Sequence, residues 1–100
     1  MSVNSWFKFY PSDWRSDPAL RMCSIEARGL WFEMLGIMHE ASPRGQLLVT
    51  GKQPSSEQLA RLCGAPADEV VKLLAELEDA GVFSRKENGV IFSDMTRLSK

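Results

Sequence analysis

The strongest periodic signal in the chain begins at Ser24 and has the spacing of an amphipathic helix. Apolar residues recur three and four positions apart, which places them on one face of a helix. Ser24 is a favourable N-cap residue, and the turn-forming stretch Ser42-Pro43-Arg44-Gly45 is expected to end the helix. The predicted buried stripe consists of Ala27, Leu30, Trp31, Met34, Leu35 and Met38.

A short strand and a second helix are predicted next. The segment 46–50, Gln-Leu-Leu-Val-Thr, is apolar and partly β-branched, which favours a strand, and residues 51–54 form a loop. Ser55 and Gln58 have the spacing of a capping box at a helix start. Gly64 is the expected terminator of this second helix.

A third helix and a hairpin complete the predicted elements. Pro66 suits the first helical position, and Gly81 closes the helix. Its predicted buried stripe consists of Val70, Leu73, Leu74 and Leu77. The runs 82–85 and 90–93 then flank an Asn-Gly pair, which is a strong hairpin signal. A two-residue or a four-residue loop satisfies the pattern, and both place Phe83 and Phe92 on one face.

The element order is helix, strand, helix, helix, hairpin, which predicts a winged helix-turn-helix. The fold class is therefore expected to be α+β, mainly α, with three helices, a hairpin wing and one short strand. The whole chain of 100 residues is expected to form a single domain. We divide it into an aromatic arm (1–23), the core (24–93) and a tail (94–100) that we expect to continue into a longer protein. The arm is expected to be extended, with turns at Pro11 and at Asp17-Pro18 and then one helical turn.

The arm holds five of the nine aromatic residues: Trp6, Phe7, Phe9, Tyr10 and Trp14. Two interpretations are open. Rings interleaved with Lys8 and Arg15 suit stacking on single-stranded bases. Burial against the domain is favoured, because each ring carries a large apolar area. Gly29 and Gly36, one heptad apart on the first helix, are expected to form the groove that receives the arm.

Charge and composition narrow the functional classes. The 12 basic and 13 acidic residues give a net charge of −1, so the chain lacks the basic excess typical of a strong nucleic-acid binder. No apolar run of about 18 residues and no signal peptide are present, which predicts a cytoplasmic protein without a membrane span. With two cysteines and one histidine, we expect no metal site. No catalytic constellation is visible, so neither an enzyme nor a cofactor is expected.

Charge placement selects the candidate nucleic-acid contacts. The positions expected to be exposed on the third helix are mostly acidic: Asp68, Glu69, Lys72, Glu76 and Asp79. Acidic side chains meet repulsion from phosphates, so this helix is expected to face solvent or a protein partner. The candidate DNA contacts flank the second helix or lie on the hairpin: Lys52, Arg61, Arg85, Lys86 and Asn88. The alternative for the hairpin is a charged edge that keeps the strands soluble.

Three stretches also carry a family resemblance. The arm at 6–14, which ends in Tyr-Pro-Ser-Asp-Trp, resembles the N-terminal domain of phage and prophage replication-initiation proteins (replisome-organiser-like). The helix start at 24–31 is similar to the same family, and so is the stretch 58–64 together with the residues 70–77 and 81–83 that follow it. The resemblance implies a domain that takes part in replication initiation or helicase recruitment, usually as the N-terminal part of a longer protein. We interpret it as a DNA-binding module, with a replicative helicase or other replication proteins, or a second copy of the chain, as further partners. The alternatives are an interaction or oligomerisation module of that machinery, and a transcriptional regulator with the same fold.

Overall fold

A computed structural model describes residues 9–41 and 45–92. In this part of the chain, five helices precede a two-stranded antiparallel hairpin, so the predicted mainly helical α+β class is confirmed. Predictions for Trp6, Phe7, Lys8, the turn at 42–44, Ser93 and the tail lie outside the described residues. The elements are α1 (Pro11–Ser16), α2 (Pro18–Arg21), α3 (Ile25–Glu40), α4 (Ser56–Cys63), α5 (Ala67–Asp79), β1 (Ser84–Arg85) and β2 (Ile91–Phe92).

Helix α3 lies at the centre of the core. It begins as predicted, because the Ser24 hydroxyl accepts a hydrogen bond from the Ala27 amide at 3.1 Å. All six residues of the predicted stripe are buried. They pack with residues from α2, α4, α5, the 45–50 segment and the hairpin, including Leu20, Leu47, Leu59, Val70, Leu77 and Ile91.

Helices α4 and α5 also follow the sequence signals. The Ser55–Gln58 capping box is present in both directions. Gly64 ends α4 in the left-handed conformation, with φ of 75°, a position that favours glycine. Pro66 is the N-cap of α5 rather than its first helical residue. In the predicted stripe of α5, Val70 and Leu77 are buried, whereas the other two leucines are half-buried.

The prediction that the arm is extended with one helical turn after it is wrong for most of the part that the structure describes, because two helices occupy that part. Residues 11–21 form α1 and α2, with one residue between them. Pro11 and Pro18 stand at the helix starts, where proline's fixed φ favours the helical conformation. The side chain of Asp17 then accepts a hydrogen bond from the Ala19 amide at 3.0 Å and caps α2.

No residue in the described part of the arm fills the expected groove at Gly29 and Gly36. A methyl group placed on either glycine meets no described atom within 4 Å. Instead, Phe9, Trp14 and Phe32 form a ring cluster, with centroids 5.6 to 5.8 Å apart. The described part of the arm, from residue 9 onward, therefore packs against the Phe32 ring of α3 and not against the two glycines.

The predicted strand at 46–50 is reduced to isolated bridges. Gln46 pairs with Phe92, and the Leu47 amide donates to the Ile91 carbonyl at 2.8 Å. Val49 pairs with Lys52 across a tight turn whose glycine, Gly51, has a φ of 83°. Because the chain reverses so soon, there is no room for a longer ladder beside the hairpin.

The hairpin differs from both predicted registers. Ser84 pairs with Phe92 and Arg85 with Ile91, around the loop Glu87-Asn88-Gly89. Gly89 has a φ of 88°, as three-residue hairpin loops require at that position. A loop of odd length shifts the register by one residue and turns every second side chain to the other face. Phe83 and Phe92 therefore lie on opposite faces, and Phe83 shares the buried face with Ile91.

Candidate nucleic-acid interface

Lys52 and Arg61 line one concave surface, which we call the basic groove. It lies between the 49–54 loop and α4 and has a volume of about 430 Å³. Both cationic side chains are exposed. The groove is lined by Val49, Thr50, Lys52, Gln53, Pro54, Gln58, Arg61 and Leu62. The structure thus brings together two of the five predicted contacts from positions nine residues apart in the sequence.

Backbone hydrogen bonds hold the loop that carries Lys52. The Val49 amide donates to the Lys52 carbonyl at 2.7 Å, and the Lys52 amide donates back to Val49 at 3.2 Å. The next side chain, Gln53, accepts a hydrogen bond from the Ile91 amide at 2.6 Å. This bond ties the wall of the basic groove to β2, a link that no local sequence pattern indicates.

Arg61 is positioned by α4. Residues three and four apart share a helix face, so Gln58, Arg61 and Leu62 face the loop together. The Gln58 side-chain oxygen is already engaged, since it accepts the Ser55 amide at 2.9 Å. The groove therefore offers two exposed cationic side chains above a partly apolar lining, an arrangement that suits a phosphate-bearing backbone.

Arg85 holds the hairpin in place. Its guanidinium donates twice to the Glu78 carboxylate, at 3.1 Å each, and once to the Gly89 carbonyl at 3.1 Å. It also lies 5.6 Å from the centre of the Phe83 ring. Because Glu78 neutralises it, Arg85 is a weaker candidate for phosphate contact than its charge alone indicates.

The other two predicted contacts on the hairpin, Asn88 and Lys86, differ in whether their side chains are open to a ligand. The Asn88 side chain accepts a hydrogen bond from the Val90 amide at 3.1 Å and shapes the turn. Lys86 is exposed, and its ammonium group forms no salt bridge within the described residues. Lys86 is therefore the hairpin cation that remains open to a ligand.

The charge pattern of α5 is largely as predicted, with one correction. Asp68, Glu69, Lys72 and Asp79 are exposed. Glu76 is instead half-buried and accepts hydrogen bonds from the Ser24 amide and, at 3.0 Å, from the Ser24 hydroxyl. This carboxylate joins α5 to the start of α3, so it is a structural residue and not part of an exposed acidic face.

The remaining reactive groups are the two cysteines. Cys23 is buried and Cys63 is half-buried, and both are free thiols. Burial raises the pKa of each thiol, and the nearby Glu33 carboxylate raises that of Cys63 further.

Among residues 9–41 and 45–92, no group of three or more His, Cys, Asp or Glu side chains is arranged to hold a metal ion. No helix in this part of the chain has the length and apolar character needed to cross a membrane.

No family model, curated protein or solved structure matches this chain. Function is therefore inferred from the basic groove, the hairpin and the charges that surround them.

Proposed function

We propose that this chain is a winged-helix DNA-binding module of a phage-type replication initiation protein. Three features support the fold assignment: α4 and α5 are joined by a short turn, a hairpin follows them, and Gln46 bridges to that hairpin as the remnant of a third strand. The resemblance of residues 6–14 to replication initiators supports the biological context.

The observation that carries the DNA-binding proposal is the convergence of Lys52 and Arg61 on one groove. Two exposed cations on a held loop and a helix can contact neighbouring phosphates and release their counterions. Gln53 links this groove to β2, which belongs to the hairpin that carries Lys86. We infer that the DNA backbone follows the basic groove toward the hairpin tip.

The charges of α5 support this path over the usual major-groove insertion. Asp68 and Glu69 occupy its first turn, and both are exposed. In many helix-turn-helix proteins the N-terminal part of the second helix of the motif enters the major groove. Carboxylates at those positions would be repelled by phosphates, so we assign α5 no direct DNA contact.

The test is binding to a fluorescein-labelled DNA duplex at low salt, measured by fluorescence anisotropy. The double variant Lys52→Ala, Arg61→Ala should weaken binding about tenfold, because two phosphate contacts are lost. The matched control is Lys72→Ala, which removes an exposed cation from α5 and should change the affinity little. Circular dichroism and the melting temperature confirm that each variant is folded.

Two outcomes would overturn the assignment. If Lys72→Ala abolishes binding while the double variant does not, α5 contacts DNA in the usual way. If the wild-type chain binds no duplex at low salt, DNA binding is not its function.

The second candidate is an interaction or oligomerisation module in the same machinery. The observation in its favour is the pair Met22 and Ile25, whose exposures of 81% and 77% are unusual for large apolar residues. Sedimentation velocity tests it: self-association that Met22→Ser and Ile25→Ser together abolish would support this function. A monomer at all concentrations would leave self-association without support.

A further inference from the structure

A second concave surface, between α3 and α5, has the opposite charge. It has a volume of about 320 Å³ and is lined by residues of α3, the 63–66 turn and α5. We call it the acidic cleft. Its apolar floor includes Leu30, Cys63 and Leu73, and its rim carries Glu26, Glu33 and Glu69. It shares no lining residue with the basic groove.

Gly29 lines the cleft and contributes no side chain to it. It lies in the middle of α3, where glycine costs about 1 kcal/mol of helix stability relative to alanine. A methyl group there meets no described atom within 4 Å, so the packing of the described residues does not require glycine at this position. The missing side chain leaves room for a group from outside the domain.

The three rim carboxylates define the charge of that group. Glu26, Glu33 and Glu69 are all exposed, and within the described residues none of them forms a salt bridge. Glu33 lies close enough to the floor to raise the pKa of the Cys63 thiol. An anionic ligand would be repelled on both sides of the cleft, whereas an apolar group flanked by cations would match floor and rim together.

We propose that the acidic cleft is a docking site for a basic amphipathic segment of a protein partner. One apolar side chain of the segment enters the floor beside Gly29, and lysine or arginine side chains on either side pair with the rim carboxylates. The small volume suits one or two side chains, which is how an amphipathic helix anchors in a groove. This site is independent of the proposed DNA contacts, since its charge and its residues differ from those of the basic groove.

The probe is a synthetic amphipathic peptide of leucine and lysine, and its affinity is measured by fluorescence anisotropy. Two control peptides carry glutamate in place of lysine or serine in place of leucine. Cys63 reports where the peptide binds, because its half-buried thiol lies in the cleft whereas Cys23 is buried elsewhere. Alkylation by iodoacetamide at mildly alkaline pH, followed by mass spectrometry, should be slowed at Cys63 by the lysine peptide and by neither control.

Variants separate the contributions of floor and rim. Gly29→Leu should fill the cleft and abolish binding, whereas Gly36→Leu, on the same helix but outside the cleft, should leave the affinity unchanged. The pair Glu26→Gln, Glu33→Gln should weaken binding about fivefold and reduce its salt dependence. Glu40→Gln is the matched control on α3. The Lys52→Ala, Arg61→Ala variant should bind the peptide normally, so failure of this inference is distinguishable from failure of the DNA proposal.

Three results would overturn the inference. The lysine peptide does not bind, the glutamate peptide binds equally well, or the lysine peptide binds without slowing the alkylation of Cys63. If Gly29→Leu fails to fold, the glutamine pair still decides the matter, because it leaves the core intact. Unchanged affinity in that pair would rule out the assigned role of the rim.

Discussion

At the scale of single residues, Glu76 shows how a tertiary contact changes the meaning of a side chain. Its place on α5 indicates an exposed carboxylate that would repel phosphate. In the folded chain it accepts two hydrogen bonds from Ser24, the N-cap of α3. It therefore satisfies a backbone amide at the start of α3. It also links α3 to α5 through two residues that are 52 positions apart in the sequence.

Glu76→Ala should lower the free energy of unfolding by about 2 kcal/mol, because two hydrogen bonds to a charged acceptor are lost. Alanine has a high helix propensity, so α5 itself is not weakened. Urea unfolding followed by circular dichroism measures the change, with Lys72→Ala on the same helix expected within about 0.5 kcal/mol of wild type. Equal stability of the two variants would contradict the structural role of Glu76.

Arg85 is a second residue whose contacts change its role, because its ion pair with Glu78 engages the charge that would otherwise be open to phosphate. We expect Arg85→Ala and Glu78→Ala each to destabilise the chain by about 1 kcal/mol, since the pair is partly exposed and screened by water. In a double-mutant cycle the two losses should not add, and their coupling should shrink as salt is raised. Additive losses would show that the two side chains act independently. The neighbouring change Lys86→Ala should leave stability unchanged.

At the scale of elements, the first described segment behaves as part of the domain. Helix α1 presents Trp14 to Phe9 and to Phe32 of α3, with ring centroids 5.7 and 5.8 Å away. Trp14 is half-buried and packs against the core cluster. The interpretation favoured from the sequence, burial against the domain, is therefore met only in part for Trp14, whose ring packs on the core but is half-buried. Trp6 and Phe7 lie outside the described residues.

Trp14→Ala should cost about 2 kcal/mol, roughly half the value for a fully buried tryptophan. Thermal unfolding monitored by circular dichroism tests this expectation. Met22→Ala is the matched control, because Met22 lies in the same segment but is 81% exposed. A melting temperature unchanged by Trp14→Ala would favour the base-stacking interpretation of the arm.

At the scale of the whole molecule, a net charge of −1 conceals two surfaces of opposite sign. The basic groove carries Lys52 and Arg61, and the acidic cleft carries three glutamates. An almost neutral chain can therefore present one surface suited to phosphates and another suited to a basic segment. The net charge of the chain predicts only that any affinity it has for DNA is low.

The salt dependence of DNA binding follows from the number of available cations. In the proposed complex Lys52, Arg61 and Lys86 would make about three phosphate contacts, and each would contribute about −0.9 to the slope of log K against log salt concentration. The expected slope is therefore about −2.7, measured by anisotropy across a salt series. The Lys52→Ala, Arg61→Ala variant should reduce it to about −0.9. Binding that does not respond to salt would contradict the proposed phosphate contacts.

Much of the fold could be predicted from the sequence because its signals are local. The stripe of α3, the Ser55–Gln58 capping box and the left-handed Gly64 each depend on neighbours within about two helical turns. The convergence of Lys52 and Arg61 was only partly predictable. The positive charges of Lys52 and Arg61 indicate both as candidate contacts. The groove that joins them, however, depends on how the 49–54 loop folds back against α4.

Two kinds of feature were decided only by the tertiary structure: side-chain contacts between residues distant in sequence, and the register of the hairpin, which a one-residue change in loop length alters. Local periodicity cannot relate the residues that three contacts join: the hydrogen bonds from Ser24 to Glu76, the ion pair of Arg85 with Glu78 and the hydrogen bond from Ile91 to Gln53. The hairpin loop has three residues where two or four were expected, and this difference of one moved Phe83 and Phe92 to opposite faces. Sequence by itself determined α3, α4 and α5 and most of their buried faces, because periodicity and capping act locally. The packed chain determined which charges are paired, because pairing depends on the side chains that folding brings together.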